Sequence, residues 1–225
     1  MLSDHYYEQA LVAERQGDYS AALGLFRICQ DLPELDEGDI WFHFGWCTEQ
    51  RDGCKSEEAR EFYVIAAEKA RLPLCRINSY FRAGWIQMHL KETRGAREMY
   101  QAAVREGERF DCREEPYVQS MYWLGVVLES DGNYLDAIEQ YRSVQSISLG
   151  LKPEAMYREL RSLITIGRYH DAFQMCRLFP VKPPSRFPRD RFEELRRLVI
   201  SEERALAACL DTSWSPVPLE YPDAY

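Results

Sequence analysis

A small residue recurs in this chain at a fixed offset from an alanine, and four residues after that alanine comes an aromatic ring. Ala10 precedes Ala22, Gly84 precedes Ala96 and Gly125 precedes Ala137 by 12 residues each, while Gly45 precedes Ala59 by 14. The rings that follow are Phe26, Tyr63, Tyr100 and Tyr141. A fifth, degenerate copy puts Leu160, Ala172 and Cys176 in the matching places. The alanines stand 37, 37, 41 and 35 residues apart. Self-similarity at that period belongs to stacked helix pairs rather than to one globular core.

The fourth copy shows the helices. Met121, Leu124, Gly125 and Leu128 fall at i, i+3, i+4 and i+7, one face of a helix. Gly132-Asn133-Tyr134 interrupts, with Asn133 suited to cap the next helix, and Ile138, Tyr141 and Val144 continue an apolar stripe. Two antiparallel helices approach closely only where side chains are small, so Gly125 and Ala137 share one role and the ring fills the space beyond. The same turn recurs as Gly17-Asp18-Tyr19 and Gly167-Arg168-Tyr169, whereas copies two and three offer Ser56-Glu57-Glu58 and Thr93 as N-caps. Pro153 is placed to open the last pair as its first helical residue.

In copy two the pattern reads Trp41, Phe44-Gly45, Ala59, Tyr63 and Ala66; in copy four, Leu124-Gly125, Gly132-Asn133-Tyr134, Ala137 and Tyr141, with Val144 for the final alanine. This resembles the tetratricopeptide repeat (TPR) family over residues 4–179. The resemblance implies an all-α fold: a right-handed TPR-like α-solenoid of about five helix pairs with a C-terminal capping helix. The spacings exceed the family's period of about 34 residues, which predicts longer connections or helices. Residues 180–188 read as a Pro-rich linker, and 189–210 as the capping helix through Phe192, Leu195, Leu198-Val199, Leu206 and Leu210. Residues 211–225 read as an extended tail: Pro216, Pro218 and Pro222 favour polyproline II, and Trp214, Leu219, Tyr221 and Tyr225 are large apolar groups. Such a tail could dock on a solenoid in cis or in trans and so support self-association; a frayed terminus is the alternative.

Charge and cysteines bound the partners. The net charge of −9 argues against nucleic acid, which needs a basic face. Residues 1–40 hold nine Asp or Glu against Arg15 and Arg27, a net of −7 that could attract a basic partner or simply keep a face solvated. The N-terminus MLSDHYYEQ is unlike a secretory signal, and no stretch approaches the roughly 20 apolar residues that span a bilayer. Seven scattered cysteines read as reduced thiols, so a cytoplasmic setting is expected.

The stripe beside the small residues is the candidate surface. It contains Tyr7 in copy one; Phe42, His43 and Trp46 in copy two; Phe81, Arg82 and Trp85 in copy three; Tyr122 and Trp123 in copy four; and Tyr157 in copy five. These first helices are apolar nearly all round, which means burial on two sides or a functional groove. The functional reading is an aromatic concave groove for a peptide or protein segment; the alternative is that the rings pack between repeats. The carboxylate-clamp mode of the family uses Lys and Asn where this stripe is mainly aromatic or acidic, so that mode is not expected.

No Cys-x-x-Cys, His-x-x-x-His or His-Glu-x-x-His spacing occurs, and His43 with Cys47, one turn apart, reads as a packed pair rather than metal ligands. There is no Gly-rich phosphate loop and no nucleophile turn. The reading is therefore a scaffold or adaptor with no catalytic residue, cofactor or metal. The alternative is a TPR-type secretion or assembly chaperone that masks a hydrophobic client segment.

Overall fold

The computed structural model describes residues 2–30, 32, 34–148, 150–184 and 187–210; the expected extended tail, 211–225, lies outside them. Among the described residues there are helices and no strand. In chain order these are α1 (Leu2–Arg15), α2 (Tyr19–Cys29), α3 (Glu37–Asp52), α4 (Glu57–Lys69), α5 (Pro73–His89) and α6 (Thr93–Arg109). They continue as α7 (Glu115–Ser130), α8 (Tyr134–Ile147), α9 (Lys152–Thr165), α10 (Tyr169–Leu178) and α11 (Arg189–Cys209). The chain divides within α7 into two compact units, Met1–Trp123 and Leu124–Tyr225. The fold is an all-α, TPR-like α-solenoid.

In the first unit each helix packs on the next from α1 to α6, and α3 also meets α5. Small residues set how closely the members of a pair approach. A Cβ built on Gly45 would stand 2.7 Å from the Tyr63 ring, and one on Gly84 2.8 Å from Tyr100. In the second unit the same holds for Gly125, at 2.6 Å from Tyr141. All three tyrosines are fully buried. Copy one uses Ala10 with Phe26, which share one core cluster.

The turns between pair members repeat one hydrogen bond. Asp18 N–H donates to Ala13, Glu92 to Gln87, Asn133 to Leu128 and Arg168 to Leu163, each spanning five residues back to a carbonyl, at 2.8–3.0 Å. That bond closes a helix whose next residue is left-handed. Gly17, Gly132 and Gly167 supply that residue with φ of +80°, +79° and +76°, and in copy three Lys91 takes the place at φ 65°. The Lys91-Glu92-Thr93 turn thus keeps the register of Gly-Asp-Tyr. Glu92 therefore becomes the N-cap of α6, and Thr93, expected to cap, is its first helical residue. Ser56 caps α4 as expected, accepting from Ala59 N–H at 3.2 Å. Asn133 holds the N-cap position of α8 without a side-chain cap bond. Pro153 sits one residue inside α9, still in the first turn, where its missing N–H has no partner to lose.

In the second unit α9, α10 and α11 pack mutually. Phe192, Leu195, Val199 and Leu206 of α11 join Leu160, Leu163, Ala172 and Cys176 in one core. The Phe192 ring stacks on Phe179 at 5.9 Å. Arg196 anchors the segment before α11 by donating to the Pro180 carbonyl at 2.9 Å.

Two stability measurements check this account. Gly125→Leu drives atoms into the Tyr141 ring and should cost about 1–3 kcal/mol in chemical denaturation. Lys91→Gly relieves a left-handed β-carbon and, after the greater entropy of glycine in the unfolded chain, should add about 0.5–1 kcal/mol.

Candidate interaction face

The first helices carry an aromatic three residues before the small residue in four copies, Tyr7, Phe42, Phe81 and Tyr122, and three before Leu160 in the fifth, Tyr157. Four of these lie in the first unit, together with His43, Trp46, Arg82, Trp85 and Trp123. There Tyr122 is buried at 9% exposure and the other eight are half-buried. Tyr157 belongs to the second unit and is half-buried against that unit's core. Nine of the ten expected groove residues thus share one unit, on α1, α3, α5 and α7.

Beneath the rings runs a set of polar clasps built on the same register. Tyr63 donates its hydroxyl to Glu49 at 2.8 Å, and Glu49 stands four residues after Gly45. Arg82, two residues before Gly84, pairs with the same carboxylate at 3.4 Å. Its guanidinium also lies 4.5 Å from the Trp46 ring centroid, a cation–π contact. Burial, then the neighbouring Glu49 charge, pushes the Tyr63 hydroxyl well up, so it stays a donor. In the second unit Tyr141 donates to Glu129 at 2.8 Å, and Arg158 reaches Glu129 at 3.4 Å.

Copy one varies the theme. Glu14, four residues after Ala10, accepts from His43 at 2.7 Å, and His43 stacks on Phe26 at 4.8 Å. Tyr7 donates to Asp39, and its hydroxyl lies 3.3 Å from His43 Nε2. Burial and the Asp39 carboxylate hold the Tyr7 hydroxyl protonated. Cys47 donates to Glu14 at 3.5 Å. A thiol, imidazole and carboxylate so grouped invite a nucleophilic reading. Cys47, however, is fully buried, and burial with the Glu14 charge pushes its thiol upward. A reactive cysteine requires the opposite shift, so this one is a packed donor.

Copy three breaks the set. Met88 occupies the carboxylate position and Trp123 the cation position. The Tyr100 hydroxyl, fully buried, has no hydrogen-bond partner, and neither does His89 Nε2. Trp85 meets Trp123 edge to face at 5.2 Å and His89 at 4.5 Å, and Tyr122 meets Trp123 at 5.5 Å. The joint is aromatic where its equivalents are charged.

The rings of this face are legible as a stripe that also contains Glu49 and Glu129, but the pairing of these carboxylates with tyrosine hydroxyls and cations is not. The available signal was the recurrence of Glu14, Glu49 and Glu129 four residues after each small residue, answered by His43, Arg82 and Arg158 two residues before the next. Among the described residues no group of three His, Cys, Asp or Glu side chains is placed to hold a metal. No described helix is long and apolar enough to cross a membrane.

The family model described as tetratricopeptide repeat matches residues 81–153. No curated protein matches the chain in sequence. Solved structures similar to it include MamA from AMB-1, at 16% identity and a TM-score of 0.58, covering 77% of this chain and 87% of that one. The apo form of RapI is 10% identical with a TM-score of 0.63, covering 94% and 72%. A tetratricopeptide repeat protein from Parabacteroides merdae is 13% identical with a TM-score of 0.62, covering 93% and 73%. At these identities the likeness is one of fold.

The clasps predict a contrast between two chemically identical changes. Tyr63→Phe takes from the buried Glu49 carboxylate the shorter of its two hydrogen bonds and should cost about 1–3 kcal/mol in denaturant unfolding. Tyr100→Phe removes an unpaired hydroxyl, so stability should be unchanged or higher by up to about 1 kcal/mol.

Proposed function

We propose that this chain, whose residues 81–153 match the tetratricopeptide repeat model and whose fold is that of such repeats, is a non-catalytic scaffold or adaptor. Its first-helix face in the unit Met1–Trp123 takes up a peptide or protein segment. The observation that carries this reading is the half-buried row Phe42, Trp46, Phe81, Trp85 and Trp123, set on helices whose other contacts already fix them. Rings held in place and still partly open to solvent lose little entropy on binding, and aromatic anchors dominate interface energies. The seven cysteines are free thiols, which supports a reducing, cytoplasmic setting.

A chaperone for a hydrophobic client segment is the second reading, favoured by the apolar, half-buried Trp85–Trp123 pair. It differs in outcome: a chaperone keeps an otherwise insoluble client in solution, whereas an adaptor joins two proteins that are soluble alone.

The test is a pulldown with Trp46 and Trp85 both changed to Ala. Each truncation should cost about 2 kcal/mol of binding, so partner capture should vanish while the far-ultraviolet circular dichroism keeps its helical form. Undiminished capture by a helical double variant would sink the proposal.

A further inference from the structure

The hydroxyl of the ring-bearing tyrosine finds a carboxylate in two copies and nothing in a third. Tyr63 and Tyr141 donate to Glu49 and Glu129, and an arginine neutralises each acceptor. Tyr100 has the same seat, with its ring against Gly84 as Tyr141 lies against Gly125. In the paired copies the hydroxyl reaches the residue four after the glycine, and in copy three that register position is Met88. An unpaired buried donor is costly to keep. A chain that solves the same problem with Glu and Arg in neighbouring copies has a ready remedy, and it is not used.

We infer that the joint between α5 and α7 is the anchor subsite for an extended, cationic segment of a partner protein. The segment lays one apolar side chain against the open sides of the Trp85–Trp123 pair and offers a main-chain carbonyl to the Tyr100 hydroxyl. This rests on the reading of the first-helix face as the partner surface and specifies what that face accepts.

Three features select this ligand. The acceptor is neutral, because a carboxylate at this joint would be desolvated beside Met88 and Trp123 without the arginine that accompanies Glu49 and Glu129. A free main-chain carbonyl belongs to an extended rather than a helical segment. Met88 is unbranched and flexible, so it can swing aside to expose the hydroxyl.

The charge comes from the α1 and α3 part of the same unit. Glu14 and Asp39 take hydrogen bonds from His43 and Tyr7, and among the described residues neither pairs with Lys or Arg. Their field, together with burial, holds the nearby Tyr7 hydroxyl and Cys47 thiol protonated. A Lys or Arg of the ligand answers that field. The chain's own segment 211–225 is a poor occupant, since it carries Asp211, Glu220 and Asp223 and no Lys or Arg.

The experiment uses the full chain and a positional-scanning library of fluorescein-labelled, Pro-spaced peptides, with the 211–225 segment as a separate peptide. Fluorescence polarisation should select Leu, Met or an aromatic at one position and Lys or Arg at another, with Glu at that second position about tenfold weaker or more. Met88→Glu with Trp123→Arg rebuilds the clasp of the other copies. It should keep the helical circular dichroism and weaken the selected peptide by about tenfold or more. Tyr100→Phe, in the same assay, should weaken it several-fold with no loss of thermal stability.

Preference for acidic peptides or for 211–225 overturns the inference, as does full affinity in the folded clasp variant. If that variant binds normally while Trp46→Ala with Trp85→Ala does not, the face is the partner surface and the anchor is elsewhere on it. If neither variant matters, or no peptide binds, both readings fall.

Discussion

Three of the helix pairs close where a backbone bearing no side chain meets an aromatic ring. Gly45, Gly84 and Gly125 leave no room for a Cβ beside Tyr63, Tyr100 and Tyr141. The contact sets the distance between the two helices of a pair, and a ring so placed has little freedom to turn. Because interiors are close-packed, a methyl group at any of these glycines must displace a ring that is itself enclosed. The stability of an array of this kind is the sum of such local contacts and those between neighbours.

Where the ring sits then decides where its hydroxyl goes. A tyrosine pressed against the first helix brings a donor to the register one turn beyond the glycine, and the glutamate found there takes it. The carboxylate is in turn within reach of a cation from the next first helix, as Glu49 is of Arg82 and Glu129 of Arg158. Packing inside a pair is thereby coupled to packing between pairs through one buried acid. The acid needs both partners: Glu49 is 6% exposed, and a carboxylate that far from water is tolerable only when paired and hydrogen-bonded.

The same network bears on function. His43 and Arg82 stand in the row of groove candidates, yet both are held by carboxylates of their own unit. That removes them as free charges for a ligand and makes them supports for the rings beside them, Phe26 for His43 and Trp46 for Arg82. Copy three, where Met88 and Trp123 replace the charged pair, is the joint whose buried tyrosine hydroxyl has no acceptor. The face is thus charge-locked at some joints and apolar at another.

Much of this architecture is written in the sequence itself. The spacing of Ala22, Ala59, Ala96 and Ala137, each followed by its ring, fixes paired helices, because a period of that length can bury its apolar stripe only against a neighbour. The stripe of rings was equally readable, since helical periodicity places Phe42 with Trp46 and Phe81 with Trp85 on one face. The tertiary structure decided what lies under that face. Which cation meets which acid depends on the approach of helices more than 25 residues apart, as with Glu49 and Arg82, so the recurring register offers candidates but does not establish the contact. It also decided that Lys91 adopts the glycine conformation, because the five-residue hydrogen bond of the turn prevails over the preference of a single residue. And it left Tyr100 buried without a partner, a fact that emerges only once three equivalent hydroxyls can be compared in place.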